Sequence, residues 1–180
     1  MKYKQIYYKY LDKKNLLDIL ILLIFVSYFF VGVIIFNDYG ISWDEEQNRY
    51  MGFISLNYIR EIFNLSKYEG FEYTDQIFAE SIKHYGVLFD LPMAFIEKAF
   101  NINDTKNYFL LRHFFNFFIF YISSIFFYFL LRIRFSKILS IAGLLFWILS
   151  PRIFADSFYN MKDIVFLFFF TIGIFFAIKF

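Results

Sequence analysis

The sequence predicts an all-α polytopic membrane protein, with about four transmembrane helices and two interfacial helices in its first outer loop. Two observations support this fold class. Of the 180 residues, 60% are hydrophobic and 27% are aromatic, which is more than a soluble domain carries. The charged residues are concentrated between long apolar runs, and most of these runs approach the roughly 20 residues that cross a hydrocarbon core about 30 Å thick.

The first helix follows a basic start. Residues 1–15 contain five lysines and one acidic residue, so the positive-inside rule makes them a cytoplasmic tail. Residues 16–36 are the first predicted transmembrane helix, because the 18 residues from Ile19 to Phe36 carry no charge. A cleaved signal peptide is the alternative, but the run is too long for one and no small-x-small cleavage site follows it before Asn37.

Residues 37–110 are predicted to form an outer loop. They carry twelve acidic and six basic residues, a net charge of −6, and a low share of Lys and Arg is consistent with translocation. Apolar residues at three- and four-residue steps predict a helix over Glu45–Phe63. A second helix is predicted over Leu88–Phe100, around Pro92 and after the turn at His84-Tyr85-Gly86. The first should lie along the membrane surface. The second is too short and interrupted to span easily, so we expect it to be interfacial or re-entrant.

Residues 111–180 are predicted to hold the other three transmembrane helices of a single membrane domain. The predicted spans are Phe114–Leu131, Ile138–Ala155 with a break at Ser150-Pro151-Arg152, and Ile164–Ile178. A basic cluster of Arg132, Arg134 and Lys137 places the turn between the first two of these spans in the cytoplasm. The last run has 15 residues before Lys179, so we interpret the chain as the N-terminal part of a longer protein.

Composition excludes several classes of site and partner. The chain has no cysteine, so a disulfide framework and a thiolate metal or nucleophile site are excluded. The formal net charge is +2, and no basic run is interleaved with aromatic residues in a polar segment, so a nucleic-acid partner has no support.

The acidic cluster in Ile41-Ser42-Trp43-Asp44-Glu45-Glu46-Gln47 is the most distinctive polar motif. It begins soon after the first apolar run ends, where a membrane enzyme would hold carboxylates at the water boundary. A simpler interpretation is an ordinary acidic outer loop with an interfacial Trp. The residues that follow later in the chain favour the enzyme.

The order of the motifs resembles that of a known family. The strings that carry the resemblance are WDEEQNRY, HYGVLFDLP and SPRIFADSFYNMKDIVF. From Leu16 to Phe180 the chain is similar to the N-terminal portion of GT-C membrane glycosyltransferases of the protein-mannosyltransferase and aminoarabinose-transferase group. The resemblance implies a polyprenyl-phosphate sugar donor held in membrane lipid, and transfer with inversion on the non-cytoplasmic face. It does not identify the acceptor.

The resemblance also implies roles for the acidic cluster. Asp44 matches the family's first-loop Asp and would take the proton from the attacking acceptor, with Glu45 beside it. On a helix, successive side chains diverge by about 100°, so the two carboxylates cannot face the same acceptor. One should be catalytic and the other should orient or bind, while Glu46 should be solvated.

Other polar residues are candidates for substrate binding. Arg112, Arg152 and Lys162 would stabilise the leaving lipid phosphate, and Asp163 matches the family's second acidic position. Simpler roles compete, because Asp163 could be a carboxylate at a helix N-terminus and Arg152 could pair with Asp156 four residues on. His84 could bind substrate or a divalent metal, or could simply pack. We expect His113, at the top of a span, to be an interface residue.

Two further functions compete with the glycosyltransferase. A non-catalytic membrane fragment or scaffold that binds a lipid or a partner protein is favoured by the end of the chain inside an apolar run. A transporter fragment is less favoured, because charges are rare within the predicted spans, where ion pathways would need them.

Overall fold

The computed structural model describes residues 2–71 and 86–180, and all regular secondary structure in these ranges is helical. The helices are α1 (Lys2–Ile35), α2 (Glu45–Ile62), α3 (Asp90–Ala99), α4 (Thr105–Arg134), α5 (Lys137–Leu149), α6 (Pro151–Tyr159) and α7 (Met161–Lys179). The two helices predicted in the outer loop correspond to α2 and α3. Their location at the membrane surface remains a prediction.

Three helices within the described ranges are long and apolar enough to cross a membrane: Leu16–Ile35 of α1, the whole of α4 and the whole of α7. Helices α5 and α6 meet at 59° and make a fourth span if they cross as one broken helix. The break lies at Pro151, the first residue of α6, because proline lacks the backbone N–H that would continue α5. The predicted all-α polytopic membrane fold is confirmed.

Helices α4 and α7 begin earlier than hydropathy indicates, because polar residues cap them. Helix α4 begins at Thr105 instead of Phe114, since the Asp104 carboxylate accepts a hydrogen bond from the Asn107 N–H at 3.1 Å. Helix α7 begins at Met161 instead of Ile164, since Asn160 caps it in the same way. The last helix is therefore 19 residues long, close to the length of a full span.

Helix α4 lies at the centre of the bundle and contacts α1, α3, α5, α6 and α7. Aromatic rings fill this core: Phe117 is fully buried and stacks on Phe158 of α6, with their ring centroids 5.2 Å apart. Gly32 of α1 lies against the Phe117 ring, so closely that a Cβ there would overlap the ring. The absence of a side chain at this one position lets α1 cross α4 at short range.

Helices α2 and α3 pack on each other through a separate cluster of Phe53, Leu56 and Ala94. Phe71 stacks on Phe53 with a centroid distance of 4.0 Å. Gly52 of α2 faces the backbone carbonyl of Asp90 at the head of α3, and a Cβ there would overlap that carbonyl. The middle of α2 therefore lies against the head of α3.

The other end of the bundle gathers the basic cluster predicted to be cytoplasmic. Lys137, at the start of α5, pairs with Asp18 of α1 at 2.5 Å. Arg132 donates to the Phe135 carbonyl at 2.6 Å and closes the short turn between α4 and α5. The acidic cluster and the basic cluster thus lie at opposite ends of the bundle.

Candidate active site

Asp44 is the residue that precedes α2, and its carboxylate contacts a lysine of α7 and a neighbouring serine. An Asp at this N-cap position usually accepts a hydrogen bond from the first turn of its helix, but Asp44 makes no such bond. Its Oδ2 lies 2.8 Å from Nζ of Lys162 on α7, and its Oδ1 accepts the Ser42 hydroxyl at 3.1 Å. The Asp44 side chain remains 37% exposed and can be reached from outside.

The environment of Asp44 keeps its carboxylate ionised. Partial burial opposes ionisation, but the hydrogen bond and charge of Lys162, together with the Ser42 hydroxyl, outweigh it and hold the pKa of Asp44 below its ordinary value. Asp44 is therefore a partly exposed anion in contact with a partly exposed cation.

Glu45, the first residue of α2, is fully buried. Its Oε2 lies 2.8 Å from Nε2 of His113 on α4, and the two side chains are 0% and 1% exposed. Its Oε1 accepts the Ser42 backbone N–H at 2.6 Å. The adjacent carboxylates thus face different surroundings, as the helical divergence predicts, and Glu46 is exposed.

Arg112 lies next to His113 and forms a second buried contact. Its Nη1 donates to Oδ1 of Asp90 at 2.6 Å and lies 3.8 Å from the Met161 sulfur. Its Nε and Nη2 have no hydrogen-bond partner among the described residues. Burial raises the pKa of Asp90, and the Arg112 guanidinium partly offsets this.

A third contact joins the two outer helices to each other. Arg49 of α2 forms a bidentate pair with Glu97 of α3, and its Nε lies 3.0 Å from Oε2 of Glu97. The Arg49 guanidinium also lies 3.7 Å from the ring centroid of Tyr108 on α4. Helices α2, α3, α4 and α7 are therefore connected by charged side chains at one end of the bundle.

The structure brings together four residues named from the sequence: Asp44, Glu45, Arg112 and Lys162. Two others have local partners. Arg152 is 93% exposed, with Nε 3.7 Å from Oδ2 of Asp156 one turn on. Asp163 is exposed and bonds to Asn160, accepting from its Nδ2 at 2.8 Å and donating its backbone N–H to its Oδ1 at 3.2 Å. Asn160 is the N-cap of α7, and its two hydrogen bonds with Asp163 are those of a capped helix N-terminus.

His84 lies outside the described residues, and the structure adds nothing to its predicted role. Within the described ranges no group of three or more His, Cys, Asp or Glu side chains is arranged to hold a metal ion.

Sequence reasoning missed two partners of the cluster. His113 is not the interface residue expected at the top of a span; that prediction is wrong, because its side chain is buried against Glu45. Asp90 lies within the HYGVLFDLP string but was given no role. The available signal was polarity, since a charged or polar side chain beside an apolar run is costly unless it is paired inside the protein.

Comparison with known proteins gives one match. The family model described as dolichyl-phosphate-mannose-protein mannosyltransferase matches residues 19–180, which is most of the chain. No curated protein and no solved structure gives a significant match.

Proposed function

The chain belongs to the dolichyl-phosphate-mannose-protein mannosyltransferase family, and on this premise we propose that it transfers a sugar from a polyprenyl-phosphate donor to an acceptor, with inversion. Membership makes it a membrane glycosyltransferase of the mannosyltransferase kind, so mannose is the sugar to test first. Transfer takes place on the non-cytoplasmic face, because the acidic cluster lies at the end of the bundle away from Arg132, Arg134 and Lys137.

One observation carries the proposal: an accessible carboxylate, Asp44, lies 2.8 Å from an accessible ammonium, Lys162, at one end of an apolar bundle. The reaction needs a base for the acceptor proton and a cation for the departing lipid phosphate. Both groups must lie where a membrane-held donor meets an aqueous acceptor. The Asp44 and Lys162 pair supplies this combination, whereas Glu45 is buried and acts through other residues.

The reaction follows from these groups. The acceptor hydroxyl oxygen attacks the anomeric carbon of the sugar while Asp44 takes the hydroxyl proton. The new bond between oxygen and anomeric carbon forms as the bond from that carbon to the phosphate oxygen breaks. The lipid phosphate leaves with the bonding electron pair and an added negative charge. Since attack and departure occur on opposite faces of the carbon, the anomeric configuration inverts.

Three cationic side chains are candidates to stabilise the departing phosphate, and of these Lys162 is in contact with Asp44. Lys162 is the nearest, and a donor phosphate would compete with Asp44 for its ammonium. Arg112 is a second candidate, because two of its nitrogens have no partner among the described residues; it is fully buried, so the phosphate would reach it only after the site opens. Arg152, on the exposed side of α6, is a third, and Asp163 and His84 remain candidates for contacts to the sugar or acceptor.

We expect Lys162→Met to move the acid limb of the pH profile to higher pH. Asp44 must be ionised to act as a base, so activity is lost as pH falls through its pKa. Lys162 lowers that pKa, and its removal therefore raises the pH at which activity is lost. Overall kcat/KM should also fall about 10²-fold, as when one group that stabilises developing charge is removed.

The measurement is kcat/KM for sugar transfer between about pH 4 and pH 7, since this ratio reports the free enzyme. Lys106→Met, which removes an exposed lysine at the start of α4, is the matched control and should leave the profile unchanged. An acid limb at the same pH in Lys162→Met and in the unaltered protein would contradict the assigned contact.

The proposed function is tested by transfer of radiolabelled mannose from polyprenyl-phosphate mannose, in membranes that contain the protein expressed from its native reading frame. We expect a labelled product whose anomeric configuration is opposite to that of the donor. Retained configuration would contradict inversion. No transfer from mannose or from other polyprenyl-phosphate sugars would favour the non-catalytic membrane scaffold instead.

A further inference from the structure

We propose that His113 is a positioning residue, which holds Asp44 in place through Glu45 and Ser42. The inference rests on the proposed role of Asp44 as the base. It assigns to the buried histidine of α4 a function in the reaction although it does not touch the substrate.

Continuous hydrogen bonds connect the two residues. His113 Nε2 lies 2.8 Å from Glu45 Oε2, and Glu45 Oε1 accepts the Ser42 backbone N–H at 2.6 Å. The Ser42 hydroxyl then donates to Asp44 Oδ1 at 3.1 Å. Each contact fixes the next group, so the orientation of the Asp44 carboxylate depends on the imidazole.

The contacts of the His113 ring indicate which of its nitrogens donates. Glu45 Oε1 accepts the Ser42 N–H, and we assign Nε2 of His113 as the donor to Glu45 Oε2, the arrangement expected with an ionised carboxylate. The Nδ1 of His113 is buried and has no partner among the described residues. An unpaired acceptor is tolerated better than an unpaired N–H donor in a buried site. A proton on Nε2 therefore gives His113 one hydrogen bond to Glu45.

Helix α4 is suited to hold such a residue. It is 30 residues long and lies at the centre of the bundle, and the adjacent Arg112 fixes the head of α3. Groups that must stay within a fraction of an ångström of a productive geometry are best held by rigid elements. Asp44, in contrast, lies in the segment between α1 and α2, and needs support from outside that segment.

The test compares His113→Leu with His113→Gln. The Leu side chain removes the hydrogen bond to Glu45, whereas the Gln amide can still donate one. We expect kcat of His113→Leu to fall about 10²-fold, as a misplacement of about 1 Å does, with little change in KM. His113→Gln should retain kcat within about tenfold of the unaltered protein, since the hydrogen bond is kept.

Asn116→Leu is the matched control on the same helix. Asn116 is also buried and donates to the Asp156 carbonyl at 3.2 Å, but has no contact with Glu45. We expect its kcat to stay near that of the unaltered protein. A folded His113→Leu protein with unaltered kcat would overturn the proposal, provided that Asp44→Asn is inactive in the same assay. An active Asp44→Asn protein would instead overturn the proposed function.

A second measurement does not depend on activity or on how well His113→Leu folds. Nitrogen-15 NMR of histidine-labelled protein, with His84 replaced by Gln for assignment, reports which ring nitrogen is protonated. We expect a signal from the Nε2-protonated form of His113 that shifts in Glu45→Gln and not in Glu46→Gln. A signal unaffected by both substitutions would show that Glu45 does not bind the imidazole, and would overturn the proposal.

Discussion

Asp44→Asn is expected to lower sugar transfer by about 10²–10⁴-fold, the contribution of a positioned general base. The amide keeps the size of the carboxylate and can still contact Ser42, but cannot take a proton from the acceptor. Because Asp44 is more than one third exposed, its replacement should not unfold the protein. The measurement is mannose transfer from polyprenyl-phosphate mannose at equal protein level.

Glu46→Gln is the matched control for this prediction. It makes the corresponding change from acid to amide two residues away, at an exposed position. Its transfer rate should stay within about twofold of the unaltered rate, in keeping with a surface substitution. If Asp44→Asn and Glu46→Gln transferred sugar equally well, Asp44 would be an ordinary loop carboxylate and another base would be required.

Arg112→Met is expected to lower the free energy of unfolding by about 3–5 kcal/mol, because it leaves the Asp90 carboxylate buried without its partner. The Arg112 side chain is fully buried and that of Asp90 is 9% exposed, so water cannot replace the lost contact. The double variant Arg112→Met, Asp90→Asn should recover much of this loss, since no uncompensated charge is left.

Thermal or denaturant unfolding in detergent provides the measurement, with Arg152→Met as the control for an exposed arginine. That control should change stability by less than about 1 kcal/mol, as surface ion pairs do.

The stability lost in Arg112→Met should become smaller in acid. Burial raises the pKa of Asp90, and removal of the Arg112 guanidinium raises that pKa further. The neutral acid then forms at a higher pH. Simple additivity of the two single substitutions would contradict a direct pair.

The fold was predictable because hydropathy and length decide most of it. The uncharged runs that begin at Ile19 and Phe114 predicted two helices that the structure contains. The proline at position 151 predicted the break between α5 and α6. The helix starts at Thr105 and Met161 were not predicted, because a hydropathy pattern ends where polar residues begin. Caps at Asp104 and Asn160 extend both helices into polar sequence.

The candidate site was predictable only in part. Helical divergence indicated that Asp44 and Glu45 would separate, but not which of them would be buried. That depends on His113, which lies 68 residues further along the chain, and no local pattern reports such a contact. Asp90 and Arg112 are 22 residues apart, so no local pattern indicates that these two side chains form an ion pair.

The adjacent positions of Arg112 and His113 have a consequence for local unfolding. One contact fixes the head of α3 and the other fixes the head of α2, while Arg49 and Glu97 join the two helices to each other. Neither outer helix can detach from α4 without breaking contacts of the other. Helices α2 and α3 should therefore open together as one cooperative unit, and the backbone amides of both helices should share one hydrogen-exchange free energy.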